Sequence, residues 1–153
     1  MNEFFIQNSD VIIKLVLAIT LGMLIGLERF MVHKEAGMKT HALVALGSAL
    51  FIIISETLYI KYGVNSGFDP SRIASQIIVG IGFLGAGSII LQGSRLSGLT
   101  TASGLWVTAG IGMACGFGLF SLAIITTFFV LLIFISLYII EKPIRKIIDN
   151  KDN

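Results

Sequence analysis

Acids, bases and hydroxyls are scarce in this chain and gather in a few short stretches. "GLERF" carries Glu28 and Arg29 side by side, and "GMKTHALVALG" brings Lys39, Thr40 and His41 soon after. A carboxylate, a cation and hydroxyls in one niche could bind an ion or a lipid head group. Thr100 and Thr101 of "GLTTA" are expected at the same level. The plainer reading is an interfacial acid–base anchor at the inner boundary.

A second set lies in "DPSRIASQ", where Asp69 suits a helix N-cap, Pro70 the first helical position and Arg72 an ion pair with Asp69. At helical spacing Arg72, Gln76, Gly80 and Gly87 share a face. That stripe would line a polar crevice from the outer surface past mid-membrane, unless Asp69 and Arg72 only cap a helix. Glu56 is expected at the outer interface; deeper it would need a partner. Trp106 lies deeper than an interfacial tryptophan and is expected to pack between helices.

The third stretch is "IIVGIGFLGAG", in which Gly80, Gly82 and Gly85 fit G-x-G-x-x-G. A dinucleotide site needs this fingerprint between a strand and a helix, with an acid about 20 residues on. No Asp or Glu stands between Asp69 and Glu141, and the flanks stay apolar past the glycines. The motif therefore fails as a phosphate cradle. No nucleophile, base and orienting group come together either, and His33 and His41 have no metal-ligand pattern with cysteines or acids. The reading is a non-enzymatic protein without a cofactor, its metal binding left unknown.

These residues must be positioned by membrane helices. Of the 153 residues, 55% are hydrophobic and 13% charged, against about 25% charged in soluble domains. The net charge of +2 is too small and dispersed for nucleic acid, and Cys115 alone forms no internal disulfide. The N-terminus has no basic n-region and no cleavage site, so the first apolar run reads as a retained span. Apolar runs at 11–27, 42–60, 73–91, 101–117 and 122–140 predict an all-α integral membrane protein. It forms a single domain, 1–153, built as a bundle of five transmembrane helices. Residues 143–153 follow as a short cytoplasmic tail, and "CGFGLFS" makes a tight turn between the last two spans. With the N-terminus outside and the C-terminus inside, eight of the 11 lysines and arginines fall on the cytoplasmic side. Lys14, Lys61 and Arg72 fall outside, Lys14 snorkelling to the interface.

Small residues then account for the glycines, since close backbone approach drives helix association in lipid. The first helix has Ala18, Gly22 and Gly26 at intervals of four; the fourth has Gly104, Thr108, Gly112 and Gly116. The third carries small residues on two faces, Ser75, Gly82 and Ala86 on one, Gln76, Gly80 and Gly87 on the other. Gly80, Gly82, Gly85 and Gly87 are read as packing positions that make this Gly-rich third helix central. A solute path or broken helix is the functional alternative. The bulky fifth span should be peripheral, facing lipid or a second protomer.

Three blocks, "GLERFMVHKEAGMKTHALVALGSALF", "DPSRIASQIIVGIGFLGAGSIIL" and "GLTTASGLWVTAGIGMACGFGLF", resemble in order and spacing the signature blocks of the MgtC/SapB family, over residues 21–120. The resemblance implies a multi-pass bacterial inner (plasma) membrane protein linked to magnesium homeostasis and stress adaptation. It also implies regulation of partner membrane proteins. Many members add a cytoplasmic ACT-like domain after the fifth helix; a chain ending at Asn153 is closer to the SapB-like kind. The family motif maps onto Glu28, Arg29, Lys39, Thr40, Asp69, Arg72, Gln76, Gly80, Gly82, Gly85, Gly87, Thr100, Thr101 and Trp106, with Lys39 where most members have Arg. A homo-oligomeric regulator acting through helix contacts in the bilayer is the first expectation. The alternative is a small oligomeric transporter or channel for Mg²⁺ or another ion, with acids gathered into rings by symmetry.

Overall fold

The structure, a computed structural model, describes residues 6–62 and 69–149, with side chains up to residue 140. The connector residues 63–68, and Lys151 among the charges counted above, lie outside the described residues. So do the side chains of Lys142, Arg145 and Lys146.

Five long helices follow one another: α1 (Ser9–Met31), α2 (Met38–Tyr62), α3 (Ser71–Gly87), α4 (Leu99–Gly116) and α5 (Phe120–Asp149). Runs rich in Ile, Val and Phe are helical here because a chain in hydrocarbon must satisfy its backbone hydrogen bonds within each segment. Among the described residues three helices are long and apolar enough to cross a membrane: α1, α2 and α5 as far as Ile140. At about 1.5 Å per residue, α3 and α4, with 17 and 18 residues, reach somewhat less than the roughly 30 Å of a bilayer core. The α5 helix runs through Pro143 to Asp149, so the segment read as a tail begins as a continuation of the helix.

The apolar run at 73–91 does not stay helical to its end. The α3 helix stops at Gly87, where Ser88 Oγ donates to the Gly85 carbonyl at 2.7 Å. The chain then forms a small hairpin, β1 (Ile90–Gln92) against β2 (Arg95–Ser97), with Leu91 opposite Leu96. Gly93 turns the hairpin at φ +62°, and Gly98 at φ +88° leads into α4. A side chain at Gly98 would run into the Ser88 carbonyl, so both backbone sign and space demand glycine there.

The centre of the bundle is α4, which packs against all four other helices, while α1 and α2 share the most extensive single interface. The core joins Ala18, Leu21 and Ile25 of α1 to Ala45 and Ala49 of α2 and to Ile111, Ala114 and Cys115 of α4. The small-residue ladders of α1 and α4 both close on α2. A Cβ on Gly26 would stand 2.7 Å from the Gly37 carbonyl oxygen, one on Gly22 2.7 Å from the His41 carbonyl oxygen, and one on Gly112 would strike the Ala45 carbonyl.

The expectation of a central third helix is corrected. On α3 only Ile81 and Gly85 are buried. A Cβ at Gly80, Gly82 or Gly87 would meet nothing within 4 Å, and Gly85 makes ordinary contact with Ala102 at 3.6 Å. The small residues of α3 thus do not pack tightly on another helix of this chain; the tight ladders belong to α1 and α4. The α5 helix lies at the edge against α1 and α4, with most of its bulky side chains exposed.

Candidate functional site

The polar side chains form layers at opposite ends of the bundle, because antiparallel neighbours bring the end of one helix beside the start of the next. At one end, Lys14 Nζ reaches Asp10 at 3.2 Å and Glu56 at 3.3 Å. This supplies Glu56 with its base and ties α1 to α2. The i,i+4 spacing of Asp10 and Lys14 was a legible signal; the partner across to α2 was not.

The layer at the opposite end is more deeply buried. Glu28 and Arg29, at the end of α1, are 8% and 3% exposed, and His41 near the start of α2 is fully buried. The Glu28 Oε2 atom accepts from Arg29 Nε. The Arg29 guanidinium carbon stands 3.6 Å from the centre of the Phe134 ring on α5, a cation–π contact favoured where water is excluded. His41 Nδ1 lies 2.8 Å from Thr108 Oγ1, whose hydroxyl reaches the Gly104 carbonyl at 2.7 Å. Gly104 leaves the room: a Cβ there would sit 3.3 Å from Phe134 Cζ and 3.4 Å from His41 Cε1. Four helices therefore converge on one polar junction.

Several sequence-selected residues fall around this junction without joining its bonds. Lys39, Thr40 and Thr100 are exposed, and Thr101 is buried. Thr40 and Thr101 line a side cavity of about 390 Å³ with Glu35, Gly87 and Ser88. Glu28 is thus neutralised by its own neighbour Arg29, not by Lys39. His41 and Thr108 were missed as partners; a lone histidine within an apolar run was the available signal.

At the start of α3 the Asp69 carboxylate accepts from the Ser71 N–H at 2.9 Å and from Ser71 Oγ at 2.8 Å. Pro70 already has helical backbone angles, φ −59° and ψ −27°. The Ser71 hydroxyl and then its N–H hold the Asp69 pKa below its ordinary value. Among the described residues Arg72 forms no ion pair with Asp69; Ser71, closer in sequence, takes the carboxylate instead. Ser55 Oγ fixes the same corner by donating to the Pro70 carbonyl at 3.1 Å.

The predicted stripe divides. Gln76 and Gly80 line a cavity of about 370 Å³ between α2 and α3, whose other walls include Val44, Phe51, Ile77 and Leu84. Arg72 lies outside it, and Gly87 belongs to the cavity of Thr40 and Thr101. The cavity between α2 and α3 is mainly apolar and does not take in the whole stripe expected to line a polar crevice. Trp106 is not packed between helices: it is 55% exposed and edges a cavity of about 380 Å³ with Gly82, Gly85, Ala86 and Ala102. Its neighbours are too small to cover an indole.

The model of the MgtC family matches residues 15–142. The chain is 45% identical over 134 residues to the protein named "Putative magnesium transporter YhiD" of Escherichia coli (strain K12), covering 83% of this chain and 60% of that one. It is 47% identical over 120 residues to "Protein MgtC" of Salmonella typhimurium (strain LT2), covering 78% and 49%. It is 45% identical over 114 residues to "Protein MgtC" of Brucella abortus (strain 2308), covering 74% and 45%. The chain therefore spans about half to three fifths of the length of these relatives. No solved structure matches it.

Proposed function

The chain belongs to the MgtC family, and we propose that it is a non-enzymatic regulator of partner membrane proteins, acting through helix contacts within the bilayer. In this reading it is a multi-pass protein of the bacterial inner membrane with five crossings, its N-terminus outside and its C-terminus inside. It works in magnesium homeostasis and stress adaptation as a homo-oligomer.

The observation that carries the reading is the contrast between α3 and the rest. Three helices interlock so closely that a methyl group at Gly26 or Gly112 has no space, while Gly80, Gly82 and Gly87 of α3 stand open. Grooves flank α3 on both sides, one against α2 and one against α4. In lipid, open small-residue surfaces favour close approach by another helix. The membrane acids, in turn, already have bases: Glu28 has Arg29, and Glu56 has Lys14. A carboxylate so engaged is poorly placed to replace the hydration shell of Mg²⁺, a cation that dehydrates reluctantly.

The second reading, a small oligomeric transporter or channel, draws on the name that the Escherichia coli relative carries. Mg²⁺ flux into proteoliposomes holding the purified protein separates the two. The regulator reading expects flux no faster than in empty liposomes. Protein-dependent flux that falls in Asp69→Asn or Glu28→Gln would establish the transporter.

A further inference from the structure

Two helices of the bundle begin without a cap, and they begin at one cavity. The first backbone bond of α2 runs from the His41 N–H to the Gly37 carbonyl, and that of α4 from the Ala102 N–H to the Gly98 carbonyl. The N–H groups of residues 38–40 and 99–101 therefore have no carbonyl within their own helix. Gly37 and Gly98 have no side chain to cap them, and neither first turn holds an acid. The start of α3 shows the contrast, since Asp69 supplies the carboxylate that accepts from the Ser71 N–H. Each uncapped start carries roughly +0.5 elementary charge, and two of them together favour an anion.

The side chains agree. Thr40 and Thr101 hold the same position, third in α2 and third in α4, and both line the cavity of about 390 Å³. Thr101 is 2% exposed, yet its hydroxyl bonds to no described residue. A buried hydroxyl that borders a cavity and lacks a protein partner is a donor open to a ligand there. Lys39, exposed beside Thr40, adds a positive charge to the same turn.

Two other walls decide which anion fits. Glu35 also lines the cavity, and among the described residues its carboxylate has no base at ion-pair distance. It would repel a simple anion, whereas a ligand carrying an ammonium close to its phosphate suits both walls. Val44, Phe83 and Leu84 make the remaining side apolar, and Phe83 is 81% exposed. The ligand is therefore amphiphilic. The cavity lies where α2 and α4 begin and α3 ends, the level at which head groups meet the hydrocarbon core.

We propose that this cavity binds the head group of one ethanolamine phospholipid. The phosphate accepts from the starts of α2 and α4 and from the Thr40 and Thr101 hydroxyls. The ammonium pairs with Glu35, and an acyl chain covers Phe83 and Leu84. Phosphoethanolamine free in water shares the head-group chemistry but leaves the apolar wall bare.

The test is native mass spectrometry of the full-length, delipidated protein titrated with phosphatidylethanolamine, phosphatidylglycerol or phosphatidylcholine. The expected result is one phosphatidylethanolamine per chain, held about tenfold or more tighter than the other two, as a charge-assisted hydrogen bond allows. Glu35 is exposed, so Glu35→Gln folds normally; it should weaken phosphatidylethanolamine and strengthen phosphatidylglycerol until the two bind alike. Thr101→Val should weaken phosphatidylethanolamine by about tenfold at unchanged Tm; should that variant fail to fold, Glu35→Gln decides alone. Equal retention of the three lipids by the wild type overturns the site, as does a preference that survives Glu35→Gln. Displacement of the lipid by an equal concentration of phosphoethanolamine overturns the lipid assignment and leaves a site for a soluble phosphate ester.

Discussion

The His41 imidazole and the Thr108 hydroxyl, 67 residues apart in sequence, meet at 2.8 Å in the bundle interior. The contact joins α2 to α4, and both residues are fully buried. Thr108→Val keeps the shape and removes the hydroxyl, stranding His41 Nδ1 without its partner. We expect a loss of about 1–3 kcal/mol of stability, read as a lowered Tm in detergent. Thr108→Ser should stay near wild type, and equal losses in both variants would rule out the hydrogen bond as the cause.

Glu28 and Arg29 act as one buried unit. Removing the base alone, as Arg29→Met, leaves an uncompensated carboxylate and should cost about 3–5 kcal/mol. Replacing both, as Glu28→Gln with Arg29→Met, should recover part of that loss. A double-mutant cycle on thermal unfolding checks the coupling, and additive losses would show that the two side chains act independently.

Glycines on different helices should respond oppositely to a methyl group. Gly112→Ala sets a Cβ against the Ala45 carbonyl, backbone that no side-chain rotation can move aside. A loss of about 1–3 kcal/mol is expected. Gly80→Ala and Gly85→Ala meet open space or ordinary contact and should fall within about 0.5 kcal/mol of wild type.

Bulk on the open face of α3 separates folding from association. Gly82→Leu should leave the Tm of the isolated chain unchanged and reduce oligomer or partner capture in bilayer cross-linking. An unchanged cross-linking pattern, with normal yield, would remove α3 as the contact surface.

Asp69 should make the start of α3 sensitive to acid. Its folded pKa is depressed, first by the Ser71 hydroxyl and then by the Ser71 N–H, from an ordinary value of 3.8. The contribution is complete above that value and is lost as pH falls through the lower, folded one. Hydrogen exchange in the first turn of α3 should be unchanged from neutral pH to about pH 5 and accelerate below the ordinary carboxylate range. Asp69→Ala should show the faster exchange at every pH.

Long apolar runs and the ladders at Gly22, Gly26, Gly104 and Gly112 determined by themselves that this is a helical membrane protein. They fixed where most helices lie, because hydrocarbon leaves the backbone little choice but helix. Local chemistry was legible too: Asp69 and Pro70 opening α3 depend on neighbours within a few residues. Only the tertiary structure decided which glycines pack. Helical spacing places Gly82 and Gly112 in equally convincing stripes, yet only Gly112 has a backbone against it, since periodicity names a face and not its neighbour. The same limit hid Lys14 with Glu56 and His41 with Thr108. Each pair joins two different helices through residues far apart in the chain, and each is held by the depth at which those helices happen to cross.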